Sequence, residues 1–183
     1  MVLLVQYTLI FASVLALVAL GGCFSEHSGV INIGLEGIMV MGALGGALAM
    51  KFLPATTSGI VLFILIVLAS VLVGMAFSLL LGFAAIHFNA DQTLVGTALN
   101  LMGTAAAVVI VRAINVAENP DNVSSTVVYR QAKQVFLVKI GDFEFNWFML
   151  IIVLAIIASH IVLYRTKFGL RLCACGEHPQ AAD

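Results

Sequence analysis

The residues best placed to do chemistry in this chain recur on one helical face. Thr93, Gly96, Thr97, Asn100 and Thr104 stand at i, i+3, i+4, i+7 and i+11, a spacing that returns to one side of a helix. In an otherwise apolar run, such a stripe either bonds a neighbouring helix or lines an aqueous path. Threonines bond readily to their own backbone, so structural glue is the simpler reading. Asn100 carries the case for a path, because its amide is the costliest of these groups to desolvate. On that reading Thr93, Thr97, Asn100 and Thr104 form the wall of a translocation path.

A second set is the run Asn32-Ile-Gly34-Leu-Glu36-Gly37. Glu36 is the one acidic residue within an apolar stretch. A carboxylate at membrane depth is costly and faces a cavity, a partner or an interface. Gly34 and Gly37 predict a broken or irregular helix start, tolerated only where protein or water satisfies the backbone. Glu36 is then either a functional carboxylate or a group at a helix start near the interface. No apolar stretch offers a basic partner for it, which favours the second.

Other chemistries lack their residues. No GxxxxGK[ST] phosphate loop occurs, so the chain cannot drive transport alone by that machinery. Neither HExxH nor GxSxG is present. Cys173 and Cys175 near His178 supply too few ligands for an ordinary metal site, and three cysteines make no disulfide framework. His160 falls in an apolar run, whereas His27, His87 and His178 fall in connections, so no ligand set forms. The sequon Asn122-Val-Ser124 matters only in a eukaryotic secretory context. No cofactor is implied, and the chain is not expected to be an enzyme.

The elements that must hold these groups follow from composition. Of 183 residues, 62% are apolar and only 9% charged, against about 25% charged in soluble domains. Mean hydropathy is +1.16. So few charges cannot cover a soluble surface, and no basic face exists for nucleic acid. The fold class is an all-α polytopic integral membrane protein. Five apolar stretches are long enough to span a bilayer: Val2–Gly22, Ile31–Met50, Ile60–Ile86, Thr93–Val111 and Trp147–Tyr164. Small residues four apart (Gly42 and Gly46, Ala43 and Ala47, Gly45 and Ala49, then Gly74, Ser78 and Gly82) predict close helix packing. Leu20-Gly-Gly-Cys23 resembles a lipoprotein cleavage site, but no basic residue precedes the apolar run, so an uncleaved span is expected.

Two polar segments remain. Residues 113–146 hold three basic and four acidic residues, with a β-like or interfacial look over Thr126–Tyr129 and Val135–Ile140. Arg165, Lys167 and Arg171 crowd the end of the fifth stretch. That crowding puts residues 165–183 in the cytoplasm, 113–146 outside, and the amino terminus outside.

The residues also carry a resemblance. Ser25-Glu-His-Ser-Gly-Val-Ile-Asn-Ile-Gly-Leu-Glu-Gly37, followed by the Met- and Gly-rich run MVMGALGGA, resembles the opening of bacterial ABC-importer permeases. The similarity is to the branched-chain amino acid, ribose and nucleoside superfamily, within it most to the simple-sugar or nucleoside branch. Gln92-Thr-Leu-Val-Gly96-Thr-Ala-Leu-Asn100 is similar to that branch's QxxxGTxxN helix. Tyr164-Arg-Thr-Lys-Phe-Gly169-Leu-Arg171, then Gly176-Glu-His-Pro-Gln-Ala-Ala182, resembles its cytoplasmic segment that meets the ATPase. Two departures stand out. Cys173 occupies a position that is often basic, and such permeases continue with further spans after Gly-Glu-His-Pro. The chain therefore looks like an amino-terminal portion of a single permease domain.

The resemblance implies a permease subunit with three protein partners in a bacterial plasma membrane. These are an ABC ATPase subunit, a second permease subunit and an extracytoplasmic substrate-binding lipoprotein. It assigns ATPase coupling to Gly169, Arg171, Gly176, Glu177, Pro179 and Ala181, with Pro179 suited to punctuate the turn there. The motif residues Asn32, Gly34, Glu36 and Gly37 mark the helix start. Alternatives are a branched-chain amino acid permease, a self-sufficient channel or secondary transporter, and a non-transporting anchor. A secondary transporter needs an intramembrane charge for coupling, and only Glu36 is available.

Overall fold

The computed structural model describes residues 2–54, 57–127, 137–140, 143–178 and 180. The order is α1 (Val2–His27), α2 (Leu35–Phe52), α3 (Gly59–His87), α4 (Gln92–Glu118), β1 (Leu137–Ile140), β2 (Phe143–Asn146), α5 (Trp147–Arg165) and α6 (Lys167–Glu177). Among the described residues, five of the six α-helices, α1 to α5, are long and apolar enough to cross a membrane. The all-α polytopic expectation therefore holds, with one small β-hairpin added. The chain forms two compact units, residues 1–32 with 136–183 and residues 33–135.

The second unit is α2, α3 and α4. Helices α2 and α3 run antiparallel at close range because glycines remove the side chains between them. A Cβ at Gly42 would stand 3.3 Å from the Ser70 carbonyl, and one at Gly45 would stand 2.9 Å from the Ala69 carbonyl. Gly74 faces Gly42 from the other helix. The small-residue spacing thus marks the packing seam at these positions. Gly82 does not share it, since a Cβ there meets nothing within 4 Å. Phe77 and Leu81 of α3 bury against Leu99 of α4, with Ile38, Met41 and Val95 around them.

Helix starts follow capping chemistry. Asp91 caps α4 by accepting from Thr93 N at 2.8 Å and Leu94 N at 3.0 Å. Asn89, at φ 47°, turns the chain between α3 and α4, a conformation asparagine tolerates. Two ends differ from expectation. Helix α2 starts at Leu35 rather than Ile31, because the chain from Ser28 to Gly34 forms turns joined by irregular backbone. Helix α4 runs on to Glu118, so the polar connection starts after that residue. There Lys51 pairs with Glu118 at 3.0 Å, and Asn115, 2% exposed, donates to the carbonyls of Ser124 and Thr126 at 2.9 and 3.0 Å.

In the first unit α1 and α5 run parallel, since His27 and Tyr164 meet at their C-terminal ends. Gln6 and Ser13, seven apart on α1, are buried. Strands β1 and β2 pair antiparallel, Leu137 opposite Asn146 and Ile140 opposite Phe143. The β-like segment at Val135–Ile140 is β1 from Leu137 on. Of Thr126–Tyr129, Thr126 and Val127 are described and are not strand, and the remainder lies outside the described residues. Asn146 caps α5 by accepting from Phe148 N at 2.9 Å.

Candidate functional site

The predicted stripe and the predicted helix start meet in the second unit. The Asn100 amide reaches the entry of α2 with both ends. Its Oδ1 accepts from Gly37 N at 2.7 Å, and its Nδ2 donates to the Ile33 carbonyl at 2.8 Å. Gly34 caps α2 without a side-chain bond, so the Gly37 amide is one of the orphan donors of a helix start. Asn100 supplies from α4 the cap that α2 lacks locally.

Glycines make this reach possible. A Cβ at Gly37 would stand 2.5 Å from the Leu99 carbonyl and 2.9 Å from the Asn100 Cα; one at Gly103 would stand 2.9 Å from the Gly37 carbonyl. One at Gly96 would stand 2.9 Å from Gly34 N. Gly34, Gly37, Gly96 and Gly103 are all buried. The two backbones touch with nothing between them.

Helices α2 and α4 run parallel and in step. Gly37 bonds Asn100 and Lys51 bonds Asn115, separations of 63 and 64 residues. Position 36 is therefore level with Leu99 and Asn100, between Thr97 and Thr104. Helix α3 fills one side of the α2–α4 seam, touching α2 through Gly42 and Gly45 and α4 through Leu99. Helical phase puts Glu36, Ala43 and Ala47 of α2 on the other side. The same phase puts Thr93, Thr97 and Thr104 there too, on the flank of Asn100 opposite Leu99. Glu36, Thr93, Thr97 and Thr104 are exposed. The Thr97 hydroxyl donates to the Thr93 carbonyl at 2.8 Å, and that of Thr104 to the Asn100 carbonyl at 2.9 Å. Both oxygens keep lone pairs for a further donor.

The depth of this groove follows from the charges on α4. Asp91 and Arg112 bound an uncharged run of about 30 Å at 1.5 Å per residue, the thickness of a hydrocarbon core. Asn100 and the first turn of α2 stand about 13 Å in from the Asp91 end. Helix α2 thus starts well inside the span of α4. Asn32 precedes this start; its Oδ1 is buried and has no hydrogen-bond partner among the described residues.

The predicted coupling residues lie in the first unit. Thr166 ends α5 and caps α6, its hydroxyl donating to the Val162 carbonyl at 2.6 Å and accepting from Gly169 N at 3.3 Å. Gly169 is buried on the carbonyls of Val162 and Leu163. Gly176, one helical face along, sits on the end of α1, where a Cβ would meet the His27 carbonyl and stand 2.9 Å from Gly29 N. Gly29 has φ +79° and its own Cβ would stand 3.0 Å from Gly176 Cα. Arg171 and Glu177 are exposed. Cys173 is half-buried and Cys175 exposed on the same helix. Pro179 and Ala181 lie outside the described residues.

Two groupings here join residues that the sequence analysis does not pair. His27 Nδ1 lies 2.8 Å from the Cys23 carbonyl and Nε2 lies 3.4 Å from the Tyr164 hydroxyl. A carbonyl only accepts, so the Nδ1 contact carries its proton on the ring, and Nε2 faces the tyrosine hydroxyl. The other grouping is Lys51, Asn115 and Glu118 at the far end of α2 and α4. The Lys51 side chain is only 8% exposed, and its signal in the sequence was a lone charge at the end of an apolar helix.

Comparison with known proteins places these features in a family. Residues 4–183 match the model for the branched-chain amino acid transport system permease component. The chain is 37% identical over 185 residues to the guanosine ABC transporter permease protein NupQ of Bacillus subtilis, covering 99% of this chain and 58% of that protein. It is 35% identical over 186 residues to the nucleoside ABC transporter permease protein NupC of Lactococcus lactis, again covering 99% and 58%. A protein provisionally named a glucose ABC transporter permease, TsgC13 of Haloferax volcanii, is 31% identical over 98% of this chain and 53% of its own length. The chain thus spans a little over half the length of these relatives. No solved structure matches it. With five membrane-length helices among its described residues and a family match over nearly its whole length, the chain belongs to the branched-chain amino acid transport system permease component family.

Proposed function

We propose that this chain forms the membrane path of an ATP-driven importer for nucleosides or simple sugars. The observation that carries the reading is identity of 37% and 35%, over 99% of the chain, to permeases named for guanosine and nucleosides. The family description names branched-chain amino acids, which makes an amino acid importer the second reading. The chain is read as a multi-pass protein of a bacterial plasma membrane. Its partners are an ABC ATPase, a second permease subunit and an extracytoplasmic binding lipoprotein.

In this reading Thr93, Thr97 and Thr104 face the path, and Asn100 holds the start of α2 beside it. Asn32, Gly34, Glu36 and Gly37 shape that start. Helix α6 meets the ATPase through Gly169, Arg171, Gly176, Glu177, Pro179 and Ala181. The basic residues Arg165, Lys167 and Arg171 support a cytoplasmic location for α6, which leaves residues 113–146 and the amino terminus outside.

Proteoliposomes carrying the permease, its ATPase and its binding protein test this. ATP-dependent uptake of a labelled nucleoside is the expected result. Uptake without ATP would replace the reading with a channel or secondary transporter, and uptake of leucine alone would replace the substrate. Cysteines introduced at Glu177 and Gln180 are expected to crosslink the ATPase; capture of the binding protein instead inverts the topology.

A further inference from the structure

We propose that the groove of Glu36, Thr97 and Thr104 recognises the hydroxyl groups of a neutral sugar ring, with Glu36 as the residue that selects it. This rests on the transport reading above and assigns the chemistry that reading leaves open. Glu36 occupies the exposed flank of the first turn of α2, level with the gap between Thr97 and Thr104. Each neighbouring donor is already committed. The Thr97 and Thr104 protons go to backbone carbonyls, and the Asn100 amide goes to Gly37 and Ile33. At the level of Glu36, between Thr97 and Thr104, what faces the groove is a carboxylate and two hydroxyl lone pairs, which are acceptors alone.

A ligand that fits must donate. Two adjacent ring hydroxyls present a pair of donors to the two oxygens of one carboxylate, a charge-assisted arrangement. A phosphorylated sugar brings negative charge against Glu36 and is excluded. Further along the same flank of α2 stand the small residues Ala43, which is exposed, and Ala47. Among the described residues the one ion pair is Lys51 with Glu118, at the other end of α2, so a basic side chain does not neutralise Glu36. A carboxylate about 13 Å inside the span is tolerated where water or a ligand meets it.

The test is thiol labelling in membranes, with Cys23, Cys173 and Cys175 replaced by serine. Thr97→Cys and Ala43→Cys are expected to react with a charged, membrane-impermeant thiosulfonate, whereas Leu101→Cys, on the flank away from α2, is not. A ribonucleoside is expected to slow the reaction at Thr97→Cys at least fivefold, and a nucleoside monophosphate is not. Adding Glu36→Gln is expected to raise the half-protecting concentration about tenfold, with Glu36→Asp between the two. Absence of labelling at Thr97→Cys, protection undiminished by Glu36→Gln, or protection by an organic cation in place of the nucleoside each overturns the proposal. If these fail while ATP-driven nucleoside uptake persists, the site falls and the transport reading stands. If the wild-type transporter takes up neither nucleoside nor sugar, both fall.

Discussion

Two helix starts in this molecule solve the same problem in opposite ways. Helix α6 begins with Thr166, which caps its own first turn through Gly169 N. Helix α2 begins with Gly34, makes no local side-chain cap, and takes its cap from Asn100, 63 residues away in sequence from Gly37. A local cap lets a helix form wherever its own residues are. A borrowed cap makes the first turn of α2 conditional on the position of α4. The difference follows the surroundings: α6 is a polar-faced helix beyond the last span, whereas the Gly37 N–H of α2 is buried against the α4 backbone and has no water to turn to.

Substitutions at the two starts separate these designs. Gly37→Val is expected to have the largest effect, about 3 kcal/mol or more, because a side chain there meets the Leu99 carbonyl and the Asn100 Cα in a seam with no slack. Thermal melting in detergent reads it, and a loss below 1 kcal/mol would mean that the helices do not touch as described. Asn100→Leu removes both bonds to the α2 entry and is expected to cost about 2 kcal/mol, since two backbone groups lose partners. Its distinguishing sign is faster amide exchange at Gly37 with exchange at Gly169 unchanged. Uptake lost while assembly survives would tie Asn100 to the path; lost assembly alone would leave it a packing residue.

Thr166→Ala is expected to cost about 1 kcal/mol, the usual worth of a cap. It should speed exchange at Gly169 alone and break the comparison if Gly37 responds too. The smallest effect is expected at the far end of α2 and α4. Glu118→Gln leaves Lys51 with Asn115 and shifts melting by about 0.5 kcal/mol, whereas Asn115→Ala releases the Ser124 and Thr126 carbonyls and costs more.

Much of this was legible from the residues. Hydropathy located five spans because a bilayer demands about 20 apolar residues whatever the packing. Helical period put Thr93, Thr97, Asn100 and Thr104 on one face, and Gly34 and Gly37 marked an irregular start. What period could not supply was the side of the α2–α4 seam that α3 covers, and hence that Glu36 and the threonines share the opposite side. That depends on which glycines approach which backbone. Gly82 shows the limit, carrying the same spacing as Gly74 with nothing beside it. The pairing of His27 with Tyr164 joins residues 137 apart and had no local signal. Nor did β2, whose pairing with β1 is a property of the hairpin rather than of Phe143–Asn146 alone.

The seat of Gly176 on Gly29 has a mechanical meaning. Side chains at a joint absorb small displacements by changing rotamer, but two glycines in backbone contact have no rotamers to change. A push on the end of α6 must either separate the joint or move the turn after α1 by the same amount. With Gly29 at φ +79°, a conformation that residues with side chains rarely adopt, the joint keeps this close seat only while both positions remain glycine.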